Sequence, residues 1–333
     1  MFLTDPFFWE VLVSGLLAGV MYSLVALGFV LIFKASGMFN FAQGIMALFA
    51  ALTLVGFLTG QIPFAHVVNA IFGTGAHHLY DPPVTESGSP PLWFVILCIA
   101  LTLGVMIVLA RLVVGIVLRP LVGQEGIILF MATIGLGLVL EGGGDLMWGS
   151  NVKPLDVGLP DNAPSDWIID NTGMFISKLE IAAAIVAVIL VVALTLFSQY
   201  TKMGRALRAV ADDHQAALSV GISLETIWWI VWSVAGLVAL VAGMMWGAKS
   251  GIQFSLSLIA LKALPVLMLG GFTSIPGAIL GGLLIGMGEK LFEFYVGGMI
   301  GGATENWFAY VIALLFLLFR PQGLFGDKII ERV

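Results

Sequence analysis

Charged residues are scarce in this sequence. Asp, Glu, Lys and Arg make up 10% of its 333 residues, against about 25% in a soluble globular protein. The shortage excludes an ordinary soluble enzyme and a disordered chain, both of which need charge to stay in water. Dense basic tracts are missing as well. With 14 basic and 20 acidic side chains the formal net charge is −6, and no cluster of lysine and arginine could track a phosphate backbone, so nucleic acid is not expected as a partner. Cysteine occurs once, as Cys98 within an apolar run, which excludes a disulfide framework and a cysteine metal site. The four histidines, His66, His77, His78 and His214, have no metal-ligand spacing on a helix face. The first residues, Met1-Phe-Leu-Thr-Asp5, lack the basic region of a cleaved signal, so the first apolar segment is read as a retained span.

Apolar side chains fill the space that charge leaves. They amount to 60% of the chain, and the mean hydropathy is +1.07. Long apolar runs cover Phe8–Phe33, Phe41–Leu58, Leu92–Leu118, Ile127–Trp148, Ile181–Phe197, Ile227–Trp246, Leu258–Gly271, Gly277–Phe294 and Trp307–Phe319. Seven of these are long enough to cross ~30 Å of hydrocarbon as helices. Leu258–Gly271, which contains Lys262 and Pro265, and the short Trp307–Phe319 read as tilted, broken or partly re-entrant. The expected fold is an all-α polytopic membrane protein, a bundle of eight or nine transmembrane helices with broken or re-entrant segments. Residues 1–333 then form one transmembrane domain.

Lysine and arginine set the expected orientation, because loops on the cytoplasmic side hold the excess. With residues 200–225 inside, nine basic residues fall inside and Lys153, Lys178 and Lys249 fall outside. That places the N-terminus outside and the C-terminus inside. Residues 149–180 become a periplasmic loop, and this loop and 59–91 read as solvated, variable surface.

The 41 glycines fall repeatedly at four-residue spacing, as in Gly15/Gly19 and Gly282/Gly286, which lets helix backbones approach closely in lipid. Three stretches interrupt the apolar pattern. The first, Phe33–Gly44, contains Ser36, Asn40, Gln43 and Gly44. A break there must be buried or line a watery cavity, and a half-helix starting at Asn40 would aim N–H groups at a carboxylate or carbonyl. An ordinary tight turn with a capped helix explains the same residues. The second, Thr201–Ile222, has a capping-box spacing at Asp212 and Gln215 and a stop at Gly221, with Ala216 and Ala217 exposed for contact. Its plain alternative is a surface loop with an amphipathic turn. The third, Gly251–Gly282, carries Ser255, Ser257, Lys262 and Pro265. Lys262 needs an interface, a partner carboxylate or a water path. Glu289, Lys290 and Glu293 read as snorkelling near a span end. Gly243–Ser250 imitates a phosphate loop, but Ala248 replaces a required glycine and no strand precedes it. No Ser–His–Asp or paired-carboxylate constellation appears, so the chain is not read as an enzyme.

These stretches resemble the permease subunits of branched-chain amino-acid ABC importers, the LivH-like member of the pair. The resemblance lies in Gly15–Leu48, with Tyr22-Ser-Leu-Val-Ala-Leu-Gly28, Lys34-Ala-Ser-Gly37 and Asn40-Phe-Ala-Gln-Gly44. It continues through Met203–Ala211, Ala216-Ala217 with Gly221, Leu269-Gly-Gly271, Ser274-Ile-Pro-Gly277 and Arg320–Gly326. The chain departs from the pattern at Gln215, where Glu is usual, at Phe254-Ser255, and in a longer loop Gln61–Pro91. The resemblance implies a multi-pass protein of the bacterial inner membrane with a second homologous permease subunit, two cytoplasmic ATPase subunits and a periplasmic substrate-binding protein. It implies ATP and Mg on the partner subunits, with no cofactor on this chain. The solute would be a branched-chain or related amino acid, although relatives carry urea, amides or small carboxylates. It also implies that Asp213, His214, Gln215, Ala216, Ala217 and Gly221 contact the ATPase, and Ser36, Asn40, Gln43 and Gly44 are the candidates for the substrate path. The rival reading is an ion-coupled secondary transporter or channel, which needs ionisable residues paired inside the bundle.

Overall fold

The computed structural model describes residues 6–73, 78–85, 88–212, 217 and 219–326. In chain order, α1 (Pro6–Ser36) leads to α2 (Gln43–Thr59), the short α3 (Ala65–Phe72), α4 (Leu92–Leu112) and α5 (Gly126–Trp148). The short α6 (Asp166–Thr172) precedes α7 (Lys178–Tyr200), α8 (Lys202–Asp212), α9 (Leu224–Ser250), α10 (Ile259–Gly270), α11 (Ile275–Phe292) and α12 (Phe308–Phe319). Only isolated bridges represent β structure among the described residues. This is an all-α polytopic membrane protein.

Six helices, α1, α4, α5, α7, α9 and α11, are long and apolar enough to cross a bilayer. Three shorter apolar segments, α2, Phe254–Gly270 and α12, complete the nine apolar runs. Among the described residues the full-length count is therefore six rather than seven. The difference is α2, which starts at Gln43 and not at Phe41. The N–H of Phe41 donates to Thr133 Oγ1 (3.0 Å) and that of Ala42 to Asn40 Oδ1 (3.1 Å), so neither residue enters the helix as its first turn. Asn40 thus closes a local turn and does not cap α2, whose N-cap position is Ala42. Elsewhere the starts follow short hydroxyl side chains: Ser223 accepts the N–H of Thr226 at 3.3 Å, and Ser274 that of Gly277 at 3.1 Å.

The interior of the bundle is α1, α2, α9 and α10, whereas α4, α5 and α7 turn rows of apolar side chains outward, such as Leu97, Leu101 and Val108 or Ile185, Val188 and Val192. Apolar exposure of that kind suits lipid. Close packing inside depends on glycine. A Cβ on Gly19 would stand 2.3 Å from the carbonyl oxygen of Gly282, and one on Gly286 would stand 2.4 Å from Cα of Gly19. The two glycine pairs therefore seat α1 directly against α11, backbone to backbone, as the four-residue spacing requires. Near the chain's end, the N–H groups of Leu324 and Phe325 donate to the carbonyls of Leu269 and Gly270 at 2.8 and 3.1 Å. The terminal Arg320–Gly326 motif is thereby tied to Leu269-Gly-Gly271.

Two expectations change here. The loop 59–91 is not merely solvated surface. It contains α3, the N–H of Leu79 donates to the carbonyl of Gly60 (2.7 Å), and the Tyr80 hydroxyl donates to the carbonyl of Phe57. The loop closes over the end of α2 around a cavity of about 240 Å³ lined by Phe49, Tyr80, Val105 and Trp148. Asp212, expected as the cap of a new helix, is itself helical and continues α8 as far as the described residues reach, and its expected capping partner Gln215 lies outside them. The cap of α8 is Thr201, whose Oγ1 accepts the N–H of Gly204 at 2.9 Å, and the good helix formers of Arg205-Ala-Leu-Arg carry the helix on through Asp212.

Candidate functional site

The break between α1 and α2 lies well inside the bundle. Gln43 touches Gly28 so closely that a Cβ there would fall 1.9 Å from Gln43 Nε2. Gly28 stands eight residues before the end of α1 at Ser36, which is ~12 Å along a helix. The neighbouring α5 gives the same depth: Phe41 bonds to Thr133, seven residues past the start at Gly126, or ~10 Å. The chain therefore leaves α1 at its basic end, turns at Gly37 (φ +67°), and doubles back before α2 begins. α2 is a re-entrant start, not a continuation from the membrane surface.

Its polar groups are satisfied locally. Asn40 and Gln43 are fully buried. The Asn40 amide donates to Gln43 Oε1 at 3.4 Å, and Gln43 Nε2 donates to the carbonyl of Ala235 on α9 at 3.3 Å. Thr133 donates to the carbonyl of Phe130 at 2.8 Å and lies 3.3 Å from that of Phe39. Together they meet the demand that backbone broken at depth find partners in the protein. Ser36 acts at the rim of the break: its Oγ donates back to the carbonyl of Ile32 at 2.7 Å, one turn earlier on α1, and accepts the N–H of Met38 at 3.4 Å.

Gly44 marks where a second break arrives. A Cβ on Gly44 would stand 2.5 Å from both the carbonyl oxygen of Ser257 and Cβ of Ala260. Between α9 and α10 the chain runs through a short 3-10 turn, Phe254–Leu258, and that turn descends onto the start of α2. Two irregular segments thus meet at mid-depth, the arrangement by which transporters place polar backbone beside a solute. Beside them runs α5. Ser257 Oγ donates to the carbonyl of Phe254 at 2.7 Å and lies 3.4 Å from Glu141 Oε1, and Leu138, Gly142 and Asp145, at helical spacing around Glu141, are exposed along with Ser255 and Leu258. Two acids on the outward face of a membrane helix cannot be left to lipid.

A charged cluster sits one layer away. Lys262 Nζ lies 2.6 Å from Glu289 Oε1, and the Tyr22 hydroxyl donates to the same oxygen at 3.3 Å. Glu289 is 1% exposed, so it does not snorkel; the close crossing of α10, α11 and α1 holds it inside, where Lys262 supplies its counter-charge. Lys290 and Glu293 do lie near the end of their span. Lys290 pairs with Glu305 at 2.6 Å, and Glu293 accepts the N–H groups of Ala303, Thr304 and Glu305. At the same end Lys153 Nζ donates to Gln61 Oε1 at 2.7 Å, and partial burial lowers the Lys153 pKa.

Of the residues expected to contact an ATPase, Asp213, His214, Gln215 and Ala216 lie outside the described residues. Ala217 is buried rather than exposed, 2% accessible within the chain's own apolar core. Gly221 is the helix stop expected, with φ +84° and the N–H of Ile222 donating to the carbonyl of Ala217 at 3.0 Å, a Schellman closure. Glu141, Asp145 and Thr133 were not singled out by sequence. The signal for the two acids was legible, since two carboxylates four residues apart stand in an otherwise apolar run. Thr133 gave none, because a threonine in a membrane helix usually bonds its own backbone.

The chain matches the sequence model of the family described as branched-chain amino acid transport system / permease component, over residues 11–320. It is 26% identical over 335 residues to the high-affinity branched-chain amino acid transport system permease protein LivH of Salmonella typhimurium, covering 98% of each chain. It is 29% identical over 324 residues to BraD of Pseudomonas aeruginosa, named as a permease protein of the same kind of system, covering 97% of each. A fructose import permease protein, FruF of Bifidobacterium longum, is 27% identical over 248 residues, 72% of this chain and 65% of that one.

Proposed function

The chain belongs to the branched-chain amino acid transport permease family, and from that premise we propose that it is the membrane subunit of an ATP-driven importer for a branched-chain or related amino acid. The carrying observation is the meeting of the two breaks beside the polar face of α5. Glu141, Asp145, Ser255 and Ser257 supply carboxylates and hydroxyls where a zwitterion needs hydrogen bonds on leaving water. The breaks at Asn40–Gly44 and Phe254–Leu258 allow that segment to rearrange without unwinding a whole helix. A second homologous permease subunit closes the other side of the path.

The chain contributes no nucleotide chemistry in this reading; ATP and Mg are held by two cytoplasmic ATPase subunits that bind around residues 200–225. A periplasmic binding protein delivers solute at the opposite face, in the bacterial inner membrane. The likeness to LivH and BraD supports an amino acid as cargo. The buried Lys262–Glu289 pair is the observation that favours a gradient-driven transporter instead, since paired charges inside a bundle can carry an ion.

Reconstitution separates the two. The chain is placed in liposomes with its neighbouring permease, ATPase and binding-protein gene products. Leucine uptake should then require ATP inside the ATPase-facing compartment and persist in the presence of a proton ionophore. Uptake that follows an imposed proton or sodium gradient without ATP would overturn the proposal.

A further inference from the structure

A separate cavity of about 330 Å³ opens at the basic end of the bundle. Lys34, in the last turn of α1, Arg208 of α8, Thr195, Ser198 and Gln199 of α7, and Ser274 at the head of α11 all line it. Two cations stand among hydroxyl and amide groups, and none of the described residues lining the cavity is an acid. The arrangement is built rather than incidental. One guanidinium nitrogen of Arg208 donates to the carbonyl of Ser198 at 2.6 Å, which fixes the side chain in the wall; a guanidinium has four further N–H donors, and no other bond of theirs falls among the described residues. Lys34 has no hydrogen bond or ion pair among the described residues.

Two cations with no carboxylate beside them among the described residues make a half-closed cavity that favours an anion. The anion must present several acceptor oxygens, because ammonium, guanidinium and hydroxyl donors approach from different helices. A phosphate group does so, and arginine and lysine are its usual partners. The volume, about ten times the ~30 Å³ share of one water in the liquid, admits a phosphate with part of its ester. The cations also lie where headgroups would be: Lys34 closes the last turn of a membrane helix, and basic pockets between helices on such a face draw anionic lipid.

We propose that this cavity binds a phosphate group, either the headgroup of an anionic phospholipid or free phosphate. It is a site distinct from the path beside α5. The bound anion bridges α1, α7, α8 and α11, and so ties the segment after α7 to the core of the bundle.

The test uses the purified full chain, stripped of lipid in detergent and offered phosphatidylglycerol or phosphatidylethanolamine, with retained lipid counted by native mass spectrometry. In a parallel arm, inorganic phosphate is titrated while the unfolding temperature is read. Wild type should retain phosphatidylglycerol in preference, or be stabilised by phosphate alone, and the two arms tell the sources apart. Lys34→Gln with Arg208→Gln should weaken whichever ligand binds, by roughly five-fold for each cation removed. Gln199→Glu alters an exposed rim position and should weaken binding in the same direction with the unfolding temperature of the ligand-free protein unchanged. That second variant covers the case in which the double variant fails to fold. Equal binding in wild type and Gln199→Glu, or equal binding in wild type and a folded double variant, would overturn the proposal.

Discussion

Lys262 and Glu289 form an ion pair across the α10–α11 crossing, with Lys262 Nζ 2.6 Å from Glu289 Oε1. The other carboxylate oxygen of Glu289 is buried without a hydrogen-bond partner, so the lysine is its main compensation. Removing one member of such a pair leaves an uncompensated charge, whereas replacing both by apolar groups is nearly neutral. Lys262→Met should therefore destabilise the protein by about 3–5 kcal/mol, and Lys262→Met with Glu289→Leu should recover most of that loss. Thermal unfolding in detergent reads both. A double variant as unstable as the single one would deny the pair this role.

Gly28 and Gln43 are coupled by space. Gly28→Ala puts a methyl 1.9 Å from Gln43 Nε2, which must move and give up its bond to Ala235. The expected cost is about 1–3 kcal/mol, as for overpacking. Gly28→Ala combined with Gln43→Ala should cost less than the sum of the two, a non-additivity visible in a double-mutant cycle. Strict additivity would place the amide elsewhere.

The pathway beside α5 predicts a loss of transport without loss of fold. Glu141→Gln and Asp145→Asn keep shape and remove charge, and neither residue lies in the packed core. Leucine uptake should fall by about ten-fold or more in the pair, since a charge-assisted hydrogen bond is worth ~1.5–3 kcal/mol, while the amount of membrane-inserted protein stays constant. Wild-type uptake in the double variant would remove the acids from the path.

Orientation is checked by labelling. A cysteine at Asn162 should react with an impermeant thiol reagent in intact cells, and one at Gln215 should not. The native Cys98 is 1% exposed and adds little background. The reverse pattern would invert the topology expected from lysine and arginine.

At the segment proposed to meet the ATPase, Val220 is 75% exposed and so reports contact without disturbing this chain. Val220→Asp should reduce ATPase co-purification with little change in unfolding temperature. Gly221→Ala instead places a side chain at φ +84° and should cost about 1 kcal/mol in stability. If Val220→Asp leaves both assembly and coupled hydrolysis intact, the contact lies outside residues 219–221.

Much of this protein is legible without coordinates because hydrocarbon imposes a single rule on every segment. A run of ~20 apolar residues must become a helix with its backbone bonded internally, so the all-α class and the nine apolar segments follow from composition and spacing. The glycine pairs at Gly15/Gly19 and Gly282/Gly286 announced close crossings for the same reason, although nothing in their spacing says that they face each other. The break at Asn40–Gly44 could be located by its polar residues, but its depth could not. That depth is fixed by contacts with Gly28, Thr133 and Ala235, residues far apart in sequence that converge only when four helices pack. Glu289 shows the limit most plainly. Its place near the end of an apolar run suggested a side chain reaching for water, and only the crossing of α10, α11 and α1 puts a lysine beside it. A carboxylate's neighbour, rather than its position along the chain, decides whether burying it is tolerable, and neighbours in a helix bundle are chosen by tertiary packing.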